Sequence, residues 1–504
     1  MRRFRPLAAS LAVAALPATV LAVAAPGVLP SAGAAPGVPP ITLTAPDTVT
    51  VSSYNNWIYD PLGVRVTATD EAFEVWSHRA SYDDPITSEW RSGTMSGALP
   101  EGSMTTFNEL SRFYTLRVRR ADGTMATRRT PGACLNDGVT RNGPDSPLVS
   151  PYPEGCPYNP YTLGSVMGIQ RGWSATLNNW SHPLRLKPGT FTVTAVIAPA
   201  YRAALGISLE DARTTFTMVV TPGTGCRPST VDLRGCRTTA PAAPRPAAAR
   251  PHAARPAQAQ SGAVSGPLMD LRTLPAFGIS LNGKGTALRF GATVWNAGDS
   301  QLLIDGFRRP GEDVMDAYQY FFDADGNETG YQQVGQMHWH EGNHHHWHFE
   351  DFAQYELLNA DMSLAVRSTK QSFCLAATDA VDYTVPGADW HPWNTDLSTA
   401  CGGFEAQSIR EVLQAGNGDT YYQFRTGQAF RLGSLPNGIY YIRVTANPEG
   451  NLIEGSTDNN TSLRKIRLGG QGKDRRVKVF PVGLVDESLS GFFRPAALRA
   501  RYAG

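Results

Sequence analysis

Lysine is scarce in this chain of 504 residues, with six lysines against 39 arginines. Acidic and basic residues nearly cancel, and the formal net charge of +1 gives no indication of a nucleic-acid partner or an acidic membrane surface. After residue 35 no apolar run approaches the ~20 residues of a membrane-spanning helix, so no stable membrane insertion is expected. Only 18% of the residues are charged, whereas glycine (49) and proline (37) are plentiful, which is typical of turn-rich β proteins.

Residues 1–35 predict a secretion signal. Three arginines among the first five residues precede an Ala/Leu/Val-rich stretch from Leu7 to Ala24. The small residues from Ser31 to Ala35 then suit cleavage by signal peptidase. The alternative is a membrane anchor. We expect a secreted, extracellular protein.

The six cysteines favour disulfides over a thiolate metal site, because disulfides persist in exported proteins. The sequence alone leaves the connectivity open. Pairing of sequence neighbours is favoured because each pair then lies within one segment. The favoured pairs are Cys134 with Cys156, Cys226 with Cys236, and Cys374 with Cys401.

The hydrophobic pattern indicates a mainly β protein with two domains. Apolar and polar residues alternate along several segments of residues 41–222, which predicts an N-terminal β-sandwich-like domain. Residues 223–265 contain a Pro/Ala/Arg tract without large apolar residues, which predicts an extended linker. A second β domain is expected at residues 266–470, and a tail at 471–504. Within the second domain, Ala406–Leu413 is expected to form a short helix.

Six of the ten histidines lie within eleven residues, from His338 to His348. Side chains alternate between the two faces of a strand, so His344, His346 and His348 project from the same face. Three neutral imidazoles suit a catalytic metal centre, and copper(II) is favoured among the metals that accept them. A non-catalytic metal-binding patch is the alternative.

Four segments in this half of the chain resemble the lysyl oxidase family, and they occur in the family's order. Trp339–Leu358 resembles the copper motif, and Lys370–Leu375 resembles the segment with the cofactor lysine. Gly418–Tyr421 resembles the segment with the cofactor tyrosine, and Pro436–Pro448 resembles the closing strands. The resemblance covers residues 266–468 and implies a lysyl oxidase-type β domain.

The chain departs from the family pattern in the spacing of these segments. One residue is inserted between the Trp339-His340 pair and the histidine triplet. The interval from Lys370 to Tyr421 is longer than in the animal enzymes, which an insertion near Trp390 explains. This difference concerns the shape of the substrate groove more than the chemistry.

The resemblance implies a copper-dependent amine oxidase. Copper would be bound by His344, His346 and His348, and the cofactor lysyl tyrosylquinone would form from Lys370 and Tyr421. Such a quinone accepts electrons from the substrate. Primary amines, including lysine side chains of proteins, would become aldehydes, with release of ammonia and hydrogen peroxide. The expected partners are a primary amine and dioxygen.

Amine oxidation also needs a base within reach of the proton on the substrate's α-carbon. The family's acidic position corresponds to Asp351. Strand parity instead places Glu350 on the face of the histidines. The residues leave this choice open.

The resemblance further implies a structural calcium site with oxygen ligands. Ser456 stands where relatives have an aspartate, so Asp458 would have to substitute for it. An asparagine-rich turn without an ion is the alternative. The implied ligands are Asp270, the Leu271 carbonyl, Glu454, Asn459 and Asn460.

Two other functions are compatible with the histidines. Another metalloenzyme with three histidine ligands, such as a metallohydrolase, would act independently of Tyr421. A non-enzymatic copper-binding envelope protein would bind metal without producing peroxide.

Residues 41–222 carry a weak repeat of the second domain. Ala121–Arg128 matches Ala360–Arg367, and a pair of cysteines follows in each region. Leu177 stands at the position of Tyr421, and the histidines have no counterpart. We therefore hypothesise that the first domain is a degenerate, non-catalytic lysyl oxidase-like copy.

Overall fold

The structure is a computed structural model that describes most of the chain. The secretion signal predicted at residues 1–35, the pair Cys226 and Cys236, and His344 lie outside the described residues. The described ranges belong to one compact unit. They are residues 38–177, 182–223, 250–262, 264, 266–340, 345–368, 370, 372–395 and 401–487.

The prediction of a mainly β fold is confirmed. In the first region, strands form where apolar residues alternate, as in Gly189–Ile197, whose residues 191, 193, 195 and 197 face the core. The elements of this region are β1 (Ile41–Thr44), β2 (Thr48–Ser53), β3 (Trp57–Ile58), β4 (Arg65–Ala68), β5 (Phe73–His78), β6 (Thr87–Ser92), β7 (Met95–Ala98), β8 (Tyr114–Arg120), β9 (Met125–Arg129), β10 (Thr140–Arg141), β11 (Gly164–Ile169), β12 (Trp173–Thr176), β13 (Leu184–Arg185), β14 (Gly189–Ile197), α1 (Pro199–Leu205) and β15 (Arg213–Pro222).

The α-helix α1 has a proline and a glycine at its boundaries. Pro199 occupies the start of the helix, where its missing N–H is tolerated. Gly206 follows the end with a φ of +65°, the left-handed conformation that closes many helices.

The second region has longer strands and more of them. Its elements are β16 (Gln260–Ser261), β17 (Leu271–Thr273), β18 (Phe277–Leu281), β19 (Ala287–Asn296), β20 (Leu302–Arg308), β21 (Val314–Phe322), β22 (Glu328–His340), β23 (His346–Glu350), β24 (Ala353–Asn359), β25 (Leu364–Arg367), β26 (Ser372–Phe373), β27 (Asp379–Ala380), β28 (Ser408–Leu413), β29 (Asn417–Tyr421), β30 (Ala429–Arg431), β31 (Gly438–Ala446), β32 (Thr461–Gly469), the 3-10 helix Gly472–Asp474 and β33 (Arg476–Val479).

The helix expected at Ala406–Leu413 is wrong, because residues 408–413 form strand β28. The apolar residues Ile409, Val412 and Leu413 suit either structure by spacing. β28 pairs antiparallel with β20 along six residues, and this tertiary pairing overrides the local helical preference.

Each region has its own hydrophobic core and three main sheets. In the first region the sheet orders are β1-β4-β12-β10, β11-β5-β6-β7 and β2-β15-β14-β8-β9. In the second they are β17-β19-β29-β27, β26-β23-β22-β21-β20-β28 and β25-β24-β31-β32-β33.

Twelve strands of the first region have counterparts in the second, at the same places in the sheets and in the same chain order. β1-β4-β12-β10 corresponds to β17-β19-β29-β27, and β11-β5-β6-β7 corresponds to β28-β20-β21-β22. β9-β8-β14-β15 corresponds to β25-β24-β31-β32. The bridge between Leu110 and Ala133 occupies the place of the β23–β26 pair. One disulfide follows at the corresponding place in each region, Cys134–Cys156 and Cys374–Cys401.

The two regions are in contact beside β27. Asn159 donates to Thr293 Oγ1 (3.0 Å), and the backbone of Leu163 donates to Val381 (2.7 Å). Tyr161 packs into an apolar cluster with Phe277 and other residues of the second region. The first region therefore supports the sheet that contains β29.

Part of the segment expected to be a linker lies against the second region. β16 pairs with β22. His252 bonds to the buried carboxylate of Asp305 (2.6 Å), which also accepts from Arg410. No helix in the described ranges is long and apolar enough to span a membrane.

We predict that replacing Cys134 and Cys156 together by alanine lowers the free energy of unfolding by about 3 kcal/mol. Opening this crosslink restores conformational freedom to the unfolded chain. Urea titration under non-reducing conditions measures the change, with a peptide map showing that Cys374–Cys401 remains intact. An unchanged unfolding midpoint would contradict the prediction.

Candidate active site

Two adjacent strands form the histidine-bearing edge of the site. β22 and β23 pair antiparallel, with His340 opposite His346 and His338 opposite His348. His346 and His348 are two residues apart, so both project from one face, and both are buried. Their ring centroids lie 4.8 Å apart. The described pair has the position and chemistry of metal ligands, while the third predicted ligand, His344, lies outside the described residues.

Trp347 fixes this strand from the opposite face. Its side chain is fully buried, and its indole N–H donates to the Gly403 carbonyl (3.1 Å). The ring makes an edge contact with Trp339 on β22. Apolar burial of this face keeps His346 and His348 together on the other face.

His340 is a member of this cluster that sequence reasoning missed. Its ring centroid lies 4.9 Å from that of His348. The proximity follows from the register between β22 and β23, which the sequence does not reveal. The imidazoles gathered here fit copper, since imidazole is a preferred ligand of this metal.

Ser372 connects the histidines to Lys370. The Ser372 hydroxyl lies 3.2 Å from His348 Nδ1, so a metal held by His348 would be bound through Nε2. The Ser372 carbonyl accepts a hydrogen bond from Lys370 Nζ (3.1 Å). Ser372 is held in place by the pairing of β26 with β23.

Lys370 and Tyr421 are 51 positions apart in sequence but adjacent in the structure. Lys370 Nζ lies 4.3 Å from the centroid of the Tyr421 ring and 4.5 Å from that of Phe373. The lysine is only 9% exposed. Burial lowers its pKa to about 8, partly opposed by the negative charge of Asp419. Roughly a tenth of this amine is therefore neutral at pH 7 and able to act as a nucleophile.

The Tyr421 hydroxyl makes two hydrogen bonds with the backbone of a single residue. It donates to the Cys374 carbonyl (2.9 Å) and accepts from the Cys374 amide (3.0 Å). The residue is 3% exposed, and burial raises the pKa of the phenol well above its ordinary value. The disulfide Cys374–Cys401 continues this connection, and the Cys401 carbonyl accepts from the Trp347 amide (3.1 Å). The tyrosine ring and the histidine strand are thus held in one framework.

Cys374, Cys401 and Glu411 bring their ligand atoms within 4.8 Å of one another. The two sulfurs are bonded to each other, so they offer no thiolate to a metal. Glu411 accepts a hydrogen bond from the Leu375 amide (3.0 Å). This group is part of the framework around Tyr421.

The two candidate bases lie at the far end of β23. Glu350 is 44% exposed in its side chain, and its carboxylate lies 3.5 Å from His338 Nε2. Asp351 follows the strand with a φ of +56°, and burial together with Glu449 raises its pKa. Among the described residues, no hydrogen bond or ion pair joins either carboxylate to Lys370 or Tyr421.

The residues of the implied calcium site lie together. Asn459 Nδ2 donates to Asp270 Oδ2 (2.9 Å), and Asn460 Nδ2 donates to Glu454 Oε1 (2.8 Å). The Leu271 amide donates to the second Glu454 oxygen (2.9 Å). Both asparagine Oδ1 atoms are buried without a hydrogen bond in the described part of the chain. Rotation of the amides would direct these oxygens at the carboxylates' site, a donor set suited to calcium.

We predict that Ser372→Ala weakens copper binding by roughly 10-fold or more. Loss of the hydroxyl removes the group that orients the His348 imidazole, and such partners typically contribute 10–100-fold to metal affinity. Competition with a chelator of known affinity measures the change. Ser363→Ala, in an exposed turn that bonds to Asp361, is the matched control. Equal affinities in both variants and the unaltered protein would contradict the role of Ser372.

Comparison with known proteins identifies the second region. Residues 326–478 match the family model of lysyl oxidase, which covers 153 of the 504 residues and includes β23, Lys370 and Tyr421. A search of curated proteins found no match to the chain. Residues 326–478 therefore form a domain of the lysyl oxidase family.

Proposed function

We propose that this protein is a secreted, copper-dependent amine oxidase whose cofactor, lysyl tyrosylquinone, forms from Lys370 and Tyr421. Its substrates are primary amines, including lysine side chains of proteins. The observation that carries the proposal is the position of Lys370 Nζ, 4.3 Å from the centroid of the Tyr421 ring. The match of residues 326–478 to the lysyl oxidase family supports it, as do the two disulfides in the described part of the chain, since disulfides persist in oxidising compartments.

Copper would be held by His344, His346 and His348. The proposal is supported by the buried pair His346 and His348 and by the orienting contact from Ser372. His340 lies close enough to shape the same site. Because Ser372 also bonds to Lys370, the metal site and the cofactor residues share one short segment of backbone.

The protein's own residues prepare the cofactor pair. Burial keeps part of the Lys370 amine neutral, and the Ser372 carbonyl holds it above the ring. The backbone of Cys374 fixes the Tyr421 hydroxyl and thereby the orientation of the ring. Once formed, lysyl tyrosylquinone supplies an electron sink for amine oxidation, with dioxygen as the final electron acceptor. Exclusion of water by Phe373 and the surrounding core protects this chemistry.

Asp270, the Leu271 carbonyl, Glu454, Asn459 and Asn460 are proposed to hold a structural calcium ion. The support is their clustering and the two buried asparagine oxygens described above. An ion there would join β17 to the loop before β32. Its role would be stability of the domain rather than catalysis.

We also propose that residues 41–222 are a degenerate copy of the catalytic domain, residues 266–470. The support is the shared order of twelve strands and the equivalent disulfides. β7 has only four residues where β22 has thirteen, and it bears no histidine. The copy therefore keeps the fold without the histidine-bearing strands. Its contact through Asn159 supports the sheet that contains β29 and Tyr421.

We expect Tyr421→Phe and Lys370→Arg to reduce amine-dependent peroxide production to background while leaving copper content unchanged. Phenylalanine lacks the oxygen from which the quinone starts, and a guanidinium is a poor nucleophile. A coupled peroxide assay and metal analysis of copper-reconstituted protein measure both quantities.

Tyr422→Phe is the matched control, since this neighbouring tyrosine lies on the other face of the chain and bonds to Asp379 (3.2 Å). It should retain activity. Full activity of Tyr421→Phe would instead indicate a metalloenzyme that does not use the quinone. Copper binding without peroxide in the unaltered protein would indicate a copper-binding envelope protein.

A further inference from the structure

A third polar residue is buried beside Lys370 and Tyr421. Asp419 lies on β29 two residues before Tyr421, so both side chains project from the same face of the strand. Asp419 is 2% exposed. Neither carboxylate oxygen has a hydrogen-bond partner of good geometry among the described residues, although the Ala376 amide is close enough to lower the pKa of the group.

The ionisable groups that interact with Asp419 are Lys370, Tyr421, Tyr355 and the buried acids Asp379 and Glu411. Its charge acts on both Lys370 and Tyr421, raising the pKa of each. In return, Lys370 and the Ala376 amide lower the pKa of Asp419, while burial raises it well above the ordinary range. Burial thus favours the neutral carboxyl group while the Lys370 charge favours the carboxylate, so the proton affinity of Asp419 responds to the charge of its neighbours.

Two other buried acids near β29 have partners. Asp379 accepts hydrogen bonds from Tyr422 (3.2 Å) and Asn159 (3.4 Å), and it lies on the opposite face. Glu411 accepts from the Leu375 amide (3.0 Å). A buried carboxylate without such bonds is costly to the fold, so its retention beside the cofactor residues indicates a chemical role.

We propose that Asp419, and not Asp351 or Glu350, is the base that removes the proton from the α-carbon of the bound amine. This inference rests on the proposed amine oxidase function and names the base of the same site. Asp419 carboxylate accepts the proton, and the electron pair of the broken C–H bond passes to the cofactor, which is reduced by two electrons. Water supplies the oxygen of the aldehyde, dioxygen takes the two electrons and two protons as hydrogen peroxide, and the substrate nitrogen leaves as ammonia.

The test compares Asp419→Asn with Asp379→Asn. The second variant is a matched control, because it removes the charge of another buried acid in the β17-β19-β29-β27 sheet. Both proteins are loaded with copper in air. Peptide mass spectrometry determines whether Lys370 and Tyr421 become joined, and phenylhydrazine titration counts reactive cofactor. Neither readout requires removal of a substrate proton.

Asp419→Asn should form the crosslink and react with phenylhydrazine, but kcat/KM for a primary amine should fall by about 10²- to 10⁴-fold. The isotope effect with an α-deuterated amine should increase, because C–H cleavage becomes slower relative to the other steps. Asp419→Glu should restore part of the activity, with its fall at low pH displaced from that of the unaltered enzyme. Asp379→Asn should keep the unaltered isotope effect, and its fall at low pH should move to lower pH because the Asp379 charge raises the pKa of Asp419.

Three results would overturn the inference. If Asp419→Asn turns over amines normally, Asp419 is not the base, even though the amine oxidase function stands. If Asp419→Asn fails to form the crosslink while Asp379→Asn forms it, Asp419 acts in cofactor formation instead. A loss of turnover confined to Asp351→Asn would assign the base to the end of β23. Absence of the crosslink in the unaltered protein would remove the proposed function itself.

Discussion

The site depends on the pair of hydrogen bonds between the Tyr421 hydroxyl and the backbone of Cys374. These bonds join β29, which belongs to the β17-β19-β29-β27 sheet, to the chain that leaves β26 beside the histidine strand. The Cys374–Cys401 disulfide extends the connection to the Trp347 amide. This link reinforces the shared hydrophobic core, in which Phe373 on β26 also contacts the Tyr421 ring.

Placing Lys370 and Asp419 in this buried framework has an energetic cost. A charged lysine and a charged carboxylate both lose hydration there, and few polar partners replace the lost water. The same desolvation produces a partly neutral amine and a carboxyl group with a raised pKa. Buried groups with shifted pKa values are common at sites that transfer protons. The first region contributes support from outside, through Asn159 and the apolar cluster around Tyr161.

Much of the fold and part of the site were predictable from the sequence. Alternation of apolar residues indicated a mainly β protein, and the two-residue spacing of His346 and His348 correctly placed both on one face. Lys370 and Tyr421 were identified only through resemblance, because nothing local relates two residues on separate strands. The strand at Ser408–Leu413 was mistaken for a helix, since its apolar spacing suits both structures and only pairing with β20 decides between them.

Other site residues were not predicted because they depend on register and burial. His340 and Ser372 reach the histidine pair by cross-strand pairing. Asp419 carried one usable signal, its spacing of two residues from Tyr421, but its burial and lack of partners appear only in three dimensions.

Whether Lys370 and Tyr421 become covalently joined is tested most directly by the tryptic map of copper-loaded, aerobically matured protein. A modified Lys370 resists trypsin, so we predict one species in which residues 368–410 are joined to residues 411–425. This species should be absent when copper or dioxygen is withheld. Full amine oxidase activity in a protein that yields only separate, unmodified peptides 371–410 and 411–425 would contradict the account.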